Sequence, residues 1–474
     1  MSDIRLSKKD VIWGYFAQFF SIASGVLVLP LILHLLSPEE IGMNYLMLTV
    51  GSLVSLFDFG FGPQFGRNIT YIFSGAQQLK KEGIHSSQED IKQINYRLLA
   101  TMIYTVRFVY RRLSLVVLVV MLSFGTFYIY KVTNGFTNVH QSLFIWIVYS
   151  ISTFFNMYYT YYASLLIGKG MIMESKKAMV YSRIVYIIIN VSLLLLGVGL
   201  LSIAIANLLA PFVERFISHY YFFTKEFKSK IDQFVITRKE KLDLFNIVWH
   251  NARKLGLVFI GSYAITRFAM FLGGLYLSLS DIASYGLMVQ LVGIISGISS
   301  TLFMINNPRF AELNITGNMN DLKKEFAFAM GIFYLLFLIG GVFLVLAVPE
   351  LLVLIKAKAV LPVSSILILY LIVMLLETNH SFFATMIVIG NSVPFMWVSL
   401  ITGGFIALGS YLSLSFTNYG LLGLVLVQGT VQLAYNNWKW PFVILNKYNI
   451  SLFDFLGLII SEVFYRLKAY TNAR

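Results

Sequence analysis

Long apolar runs separated by short polar segments dominate the chain. A hydrocarbon core about 30 Å thick needs roughly 20 apolar residues for each helical crossing. The runs are too long and continuous for the short alternating strands of a β-barrel, so each predicts a transmembrane helix. Twelve runs qualify: 11–36, 41–66, 113–130, 143–167, 179–198, 201–223, 246–277, 282–304, 326–348, 361–389, 394–416 and 419–438.

The composition agrees with this pattern. Of the 474 residues, 58% are hydrophobic and 12% are charged, whereas soluble domains usually have about 25% charged residues. The chain has no cysteine, which excludes disulfides, thiol catalysis and cysteine metal sites. The net charge of +14 would suggest nucleic acid in a soluble protein, but the basic residues lie in loops between apolar runs. We therefore expect no nucleic-acid partner.

The basic residues also predict the orientation of the chain. When alternate loops are assigned to opposite sides, one side receives 32 of the 36 Lys and Arg residues and the other receives three, Lys131, Lys356 and Lys358. The remaining one, Arg267, lies inside a predicted helix. Cytoplasmic loops are the basic ones, so the fold class predicted is an all-α integral membrane protein of about 12 helices with both termini in the cytoplasm.

The two sets of six runs resemble each other. Residues 40–47 align without gaps with residues 281–288, and both segments lead into the second helix of their set. This predicts two pseudo-symmetric six-helix bundles around a central cavity, as in alternating-access transporters. The expected organisation is an amino-terminal bundle at 1–224, a cytoplasmic linker at 225–245, a carboxy-terminal bundle at 246–446 and an interfacial tail at 447–474. Within the second bundle, the GxxxG pair Gly293 and Gly297 predicts close helix packing.

Several short motifs, in this order along the chain, resemble those of Wzx-type polysaccharide flippases of the multidrug/oligosaccharidyl-lipid/polysaccharide (MOP) exporter superfamily. They are Leu36 to Gly42, Asp58 to Gly62 followed by Arg67, Asn307 to Phe310, Asp321 to Glu325, and Pro349 to Leu351. The resemblance implies export of undecaprenyl-pyrophosphate-linked oligosaccharide repeat units across the bacterial inner membrane for O-antigen or capsule. It also implies contact with other membrane proteins of polysaccharide assembly.

Charged residues inside predicted helices are the first candidates for function, because such charges are costly and usually face protein or a water-filled cavity. Arg267 would bind a pyrophosphate or an acidic sugar through bidentate hydrogen bonds. The alternative is a structural ion pair with an acid such as Glu377. Glu377 and His380 share one face of the tenth helix and are candidates for ion coupling by a proton or sodium gradient; the alternative is interhelical hydrogen bonding.

Other polar residues are weaker candidates for a substrate cavity. Asp58 precedes Gly60, Gly62 and Pro63, which loosen a helix, and would serve a cation site, but the favoured hypothesis pairs it with a basic residue such as Arg67. Glu214 and Arg215 are cavity candidates that point in different directions; the alternative is snorkelling to the interface.

Aromatic and loop residues complete the set of candidates. Tyr158 and Tyr162 would stack on sugar rings, although packing is the favoured explanation. The basic residues that precede the third span would attract an anionic head group, but topology alone explains their position. They are Lys80, Lys81, Arg107, Arg111 and Arg112.

Three functions remain open at this point, and no cofactor or metal is expected in any of them. A lipid-linked oligosaccharide flippase agrees best with Arg267 and the resemblance. A multidrug or cation antiporter of the same superfamily would have an acidic, aromatic cavity. A membrane glycosyltransferase or polymerase is disfavoured because the external loops are short. Direct use of ATP is not expected, because Gly168-Lys169 is followed by Gly170 and no P-loop is present.

Overall fold

The computed structural model describes residues 8–79, 93–389 and 394–472. Within these ranges the chain is helical and has no strands, which confirms the all-α prediction. The helices up to residue 266 are α1 Lys8–Leu35, α2 Pro38–Phe57, α3 Phe61–Phe73, α4 Tyr96–Val120, α5 Thr126–Val132, α6 Ser142–Tyr159, α7 Tyr161–Gly168, α8 Ile172–Leu195, α9 Leu201–Phe222, α10 Lys225–Asp232 and α11 Arg238–Thr266.

The remaining helices continue the same pattern of long apolar segments and short connections. They are α12 Phe268–Tyr276, α13 Leu279–Ser299, α14 Thr301–Ile315, α15 Met319–Leu346, α16 Val348–Leu354, α17 Ser364–Ile389, α18 Met396–Phe416, α19 Gly420–Ala434, α20 Asn436–Lys447 and α21 Leu452–Asn472. Among the described residues, eight helices are long and apolar enough to cross a membrane, and up to ten if two bent pairs each count as one span. The chain is therefore a multi-pass membrane protein.

Several predicted spans are divided or extended. The second predicted span is split into α2 and α3 at residues 58–60, and the fourth is split into α6 and α7 at Thr160. The apolar pattern continues through Thr160 and does not reveal that break, whereas Gly60, Gly62 and Pro63 already indicated a loosened helix near the other one. The third span starts earlier than predicted, because α4 already begins at Tyr96 and carries Arg107. Long arginine side chains are tolerated near the end of such a helix because their aliphatic stems can lie along apolar surface.

Helix α4 continues through a π-helical turn, Met121–Gly125, into α5. The ring of Trp146 lies against Gly125, where a Cβ atom would come within 2.5 Å of it. The Trp146 indole N–H donates to the Thr126 hydroxyl at 3.1 Å. The bulge thus lies where a tryptophan of α6 packs against α4.

Two capping boxes mark the internal repeat. Before α2, the Ser37 N–H donates to the Glu40 carboxylate at 2.9 Å and the Glu40 N–H donates to the Ser37 hydroxyl at 3.2 Å. Ser278 and Asp281 form the same reciprocal pair before α13. Such a pair satisfies backbone donors at the first turn of a helix. The serines lie 241 residues apart, the same offset as the aligned segments, and each following helix then breaks, at residues 58–60 and at Ser300.

The described chain packs into two compact units, Met1–Tyr263 and Ala264–Arg474. The segment expected as a linker, 225–245, forms α10 and the start of α11 within the first unit. In the second unit, α21 is bent by 81° from the preceding segment, and Arg466 donates two hydrogen bonds of 3.0 Å to Glu325 of α15. Gly293 does not make the predicted close contact, since a Cβ atom there would meet no described atom within 4 Å.

Candidate functional site

Five helices of the first unit surround a cavity of about 350 Å³, which we call the tyrosine-arginine pocket. The helices are α4, α6, α7, α9 and α10, and α10 lies across the end of the unit where α4 begins and α9 ends. Lys230 of α10 lies 5.5 Å from the ring of Tyr96, the first residue of α4. The lining residues used below are Tyr104, Arg107, Tyr158, Tyr159, Tyr162, Arg215, His219, Phe223, Lys228 and Asp232.

Positive side chains converge in this pocket. The Arg107 guanidinium lies 4.9 Å from the Phe223 ring centre, and that of Arg215 lies 5.4 Å from the Tyr159 ring centre. Arg215, Arg107 and Lys228 are all close enough to His219 to act on it electrostatically. Among the described residues, no carboxylate lies within 4.0 Å of either guanidinium. The pocket therefore combines unpaired cations with aromatic faces.

The break between α6 and α7 positions the tyrosines. Thr160 separates the two helices, and the rings of the flanking tyrosines pack against one another. Tyr161 and Tyr162 stack at 4.4 Å, and Tyr158 meets Tyr161 edge-on at 6.2 Å. Tyr162 is buried, whereas Tyr158 and Tyr159 are half-buried and leave part of their rings free. Such amphipathic rings can contact a sugar face while their hydroxyls form hydrogen bonds.

The structure brings four of the sequence candidates together, Tyr158, Tyr162, Arg107 and Arg215. Glu214 is not among the pocket-lining residues, and its electrostatic neighbour is Arg183. Sequence reasoning missed His219 and Lys228, and it assigned Arg107 to a loop. A signal was present in α9, where Arg215, His219 and Phe223 follow one another at four-residue spacing and so share a helix face. Lys80 and Lys81 lie outside the described residues.

Arg267 occupies a break in a membrane-spanning segment. It separates α11 from α12, which are bent by 45° at this point. The residue is exposed, and the hydroxyls of Tyr285 and Tyr370 lie within its electrostatic reach. The expected alternative, an ion pair with Glu377, is absent: no acid of the described chain lies within 4.0 Å of the Arg267 guanidinium. Its charge is thus not neutralised by a neighbouring carboxylate.

Glu377 and His380 lie together in α17, one turn apart. The His380 Nε2 atom is 3.9 Å from Glu377 Oε1, and Nδ1 makes a 2.8 Å hydrogen bond with the Asn437 side-chain oxygen. Glu377 Oε2 is buried and has no hydrogen-bond partner among the described atoms. The neighbouring Asn379 accepts a hydrogen bond from Tyr334 at 2.6 Å. The pair combines an interhelical hydrogen bond with an unsatisfied carboxylate oxygen, an arrangement able to exchange a proton.

Asp58 lies at the break between α2 and α3, and its contacts correct the favoured hypothesis. It accepts hydrogen bonds from the Tyr110 hydroxyl at 2.5 Å and from the Gly62 N–H at 3.2 Å. Arg67 instead donates to Gln64 at 2.5 Å. The predicted Asp58–Arg67 pair is therefore wrong, because a nearer hydroxyl and the first turn of α3 satisfy the carboxylate. Asp58 helps to hold a backbone in which Phe59 and Gly60 have φ of 45° and 74°.

Within the described ranges, no three His, Asp or Glu side chains converge as metal ligands. No protein-family model and no curated protein matches the sequence. Solved structures do match. An inward-facing multidrug resistance MATE family transporter of the MOP superfamily aligns at a TM-score of 0.63 with 14% identity, over 91% of this chain and 95% of that one.

Two further solved structures show the same similarity. The lipid II flippase MurJ, in an inward closed conformation, aligns at a TM-score of 0.62 with 14% identity, over 98% of this chain and 93% of that one. A MOP superfamily transporter from Pyrococcus furiosus, described as having a binding pocket of reverse polarity, aligns at 0.52 with 14% identity, over 94% and 98%. The chain therefore has the fold of MOP superfamily transporters.

Proposed function

We propose that this protein is a flippase that moves undecaprenyl-pyrophosphate-linked oligosaccharide repeat units across the bacterial inner membrane for O-antigen or capsule synthesis. The observation that carries the proposal is Arg267, an exposed guanidinium at a break in a membrane-spanning segment, with no acidic partner among the described residues. Such a charge is stable in a membrane when it faces water or an anionic ligand. A pyrophosphate group supplies that ligand through bidentate hydrogen bonds.

The rival function is a multidrug or cation antiporter. The fold does not separate the two, because a multidrug transporter and a lipid II flippase align at nearly equal TM-scores, 0.63 and 0.62. Charge supports the flippase, since a cationic substrate would be repelled by Arg267 and by the cations of the tyrosine-arginine pocket. A glycosyltransferase or polymerase has less support, because the structural neighbours are transporters and flippases.

We further propose that transport works by alternating access and is coupled to an ion gradient through Glu377 and His380. A carboxyl group buried in α17 with one unsatisfied oxygen can take up a proton from one side and release it on the other. Replacing Glu377 with Gln keeps the shape and removes the exchangeable charge. We expect this variant to lose the dependence of transport on the ion gradient.

The test of the proposed function follows lipid-linked sugars in cells. Cells that lack the gene should accumulate undecaprenyl-linked repeat units in the inner leaflet and lose surface polysaccharide. Arg267→Ala should fail to restore export, and Arg267→Lys should restore it partly because an ammonium binds phosphate as a point charge. Arg253→Ala, which removes an exposed arginine from α11, is the matched control and should restore export fully. Normal surface polysaccharide combined with altered drug sensitivity in the deletion strain would instead establish the antiporter.

A further inference from the structure

We infer that the tyrosine-arginine pocket is a binding site for a phosphorylated sugar carried on a lipid, built entirely from the first unit. Assigning this ligand as the transported substrate rests on the proposed function; the chemistry of the pocket does not. The inference has three steps, which concern the phosphate, the sugar and the lipid.

The phosphate step follows from charge. Arg107, Arg215 and Lys228 line the pocket with one acidic residue, Asp232, among the described lining residues. Both guanidiniums lie against aromatic rings and keep their donors free of carboxylates within the described chain. Arg107 is half-buried, so its field is less screened than that of a fully solvated surface arginine. Two planar guanidiniums facing one cavity match the bidentate geometry of a phosphate group.

The sugar step follows from the tyrosines. Tyr104, Tyr158 and Tyr159 are half-buried and border the same cavity as the two arginines. Their rings offer flat apolar faces to the C–H face of a pyranose, and their hydroxyls can pair with sugar hydroxyls. The volume, about 350 Å³, lies within the range of small-molecule sites. A bare phosphate would leave the tyrosine side of this cavity without a ligand.

The lipid step follows from a neighbouring cavity of about 530 Å³, which shares His219 and Phe223 with the pocket. Phe216 and Tyr220 line this second cavity, and their side chains are 70% and 73% exposed. They lie four residues apart on α9, so they form one aromatic face beside the charged pocket. Exposed aromatic side chains near a membrane interface favour contact with lipid. An acyl or prenyl chain attached to the phosphate can therefore leave along this face.

Binding to the full-length protein in phosphatidylcholine nanodiscs tests the inference. Three probes separate the steps: farnesyl-pyrophosphoryl-N-acetylglucosamine, UDP-N-acetylglucosamine and inorganic pyrophosphate. We expect the farnesyl probe to bind most tightly. If the nucleotide sugar binds as tightly, the lipid step is wrong and the pocket takes a soluble sugar phosphate. If pyrophosphate alone binds as tightly, the sugar step is wrong.

Variants locate the binding. Arg215→Gln and the double variant Arg107→Gln/Arg215→Gln should weaken binding of the farnesyl probe by about tenfold or more, because each removes a charge-assisted contact. Arg238→Gln is the matched control; Arg238 is an exposed arginine of α11 that does not line the pocket, and its removal should leave affinity unchanged. Equal affinities for wild type and Arg215→Gln, or an equal loss in the control, would overturn the inference. Arg215 is exposed, so its single variant keeps the test valid if the double variant does not fold.

A second variant tests the sugar step by itself. Tyr158→Leu should reduce the affinity for the farnesyl probe and leave the affinity for pyrophosphate unchanged. An unchanged affinity for the farnesyl probe and a reduced affinity for pyrophosphate would contradict the role of the ring. The binding assay also separates this inference from the proposed function. If the wild-type protein binds the probe but does not export lipid-linked oligosaccharide, the flippase proposal is wrong and the pocket assignment is unaffected. Export that persists without binding at this pocket would do the reverse.

Discussion

At the residue scale, Asp58 shows how a charge inside an apolar segment can be structural. Its carboxylate accepts from the Tyr110 hydroxyl and from the Gly62 N–H, so it links α4 to the first turn of α3. A hydrogen bond to a charged group typically contributes about 1.5–3 kcal/mol. The residue therefore has enough local contacts to account for its presence without a bound cation.

Two substitutions of Asp58 should give different results. Asp58→Asn can still accept from Tyr110, so it should keep near-normal thermal stability in detergent and near-normal export. Asp58→Ala loses both acceptors and should be less stable by about 1–3 kcal/mol. Tyr110→Phe is the partner control and should be destabilised in the same direction. A folded but inactive Asn variant would show that the charge itself is needed.

The sequence identified isolated charges better than clustered ones. Arg267 and Glu377 were recognised because each interrupts a long apolar run, and such interruptions are rare. Arg107 was named only as one of five basic residues that would attract an anionic head group, since the orientation of the chain already places many basic residues at that end of the helices. Asp58 was located, but its partner was predicted from proximity in sequence. Tyr110, 52 positions away, comes close only through the packing of α4 against the break.

At the element scale, the close contact between α3 and α7 depends on a glycine. A Cβ atom on Gly168 would come within 2.6 Å of Ile69 and 2.8 Å of the Gly66 carbonyl oxygen. Backbone atoms cannot move aside as a flexible side chain can. The absence of a side chain at Gly168, the end of α7, is therefore required for this pair of helices to approach.

Gly168→Ala should thus lower the melting temperature in detergent, with a cost of about 1–3 kcal/mol for overpacking. Gly404→Ala provides the control, since a Cβ atom on Gly404 in α18 would meet no described atom within 4 Å. Alanine is the better helix former, so this second change should be neutral or slightly stabilising. Equal melting temperatures for the two variants would show that the α3–α7 contact tolerates a methyl group.

Glu240, at the start of α11, forms hydrogen bonds whose contribution to stability depends on pH. Hydrogen bonds from the Thr237 backbone and hydroxyl, and then from Arg97, lower the pKa of Glu240 to about 2. An unperturbed glutamate has a pKa of about 4.3. The pKa is depressed in the folded protein, so the stabilisation is present above about pH 4.3 and is lost as the pH falls toward about 2.

Glu240→Gln should therefore be less stable than wild type at pH 7, and the difference should shrink as the pH falls from about 4 toward about 2. Thermal unfolding across this pH range measures it. Asp243→Asn is the control on the same helix; Asp243 forms no ion pair in the described chain, and the variant should follow wild type throughout. A difference for Glu240→Gln that is constant with pH would assign its effect to packing.

Helices were predictable as elements, and their breaks were not. The apolar run continues through Thr160, where the backbone turns, because a turn in a protein-packed region needs no change in hydrophobicity. At residues 58–60, Asp58 and Gly60 interrupt the run, and the sequence indicated a loosened helix there without locating the break. The capping boxes were readable in principle, since Ser37 with Glu40 and Ser278 with Asp281 have the required spacing. The tyrosine-arginine pocket was harder to predict from the sequence, because it forms only where helices that are distant in sequence meet.

At the scale of the whole molecule, the distribution of Lys and Arg predicts which loops face the cytoplasm. The chain has no cysteine, so single cysteines introduced into loops can be labelled without background. Asn138→Cys and Thr417→Cys should react with a membrane-impermeant maleimide added to whole cells. Ser229→Cys and Thr316→Cys should react only after the membrane is opened. The reverse pattern would invert the assigned orientation.

The internal repeat was also predictable at this scale. The offset of 241 residues between aligned segments recurs in the structure as the spacing of the two capping serines, and each following helix breaks at a similar position. Parallel repeats of this kind are typical of transporters, which agrees with the fold shared with MOP superfamily structures.

The π-helical turn at Met121–Gly125 determines how the segment formed by α4 and α5 responds to the loss of one residue. Such a turn holds one residue more than an α-helical turn, so it rotates the following segment by about 100° relative to an unbroken α-helix. With this correction, Ile129 falls on the same face as Val117, and both are fully buried. Deleting the exposed Leu122 would convert the turn to ordinary α-helix and keep that face in register. A one-residue deletion usually disrupts the folding of a packed helix. At this point in the chain, the protein should still fold after such a deletion.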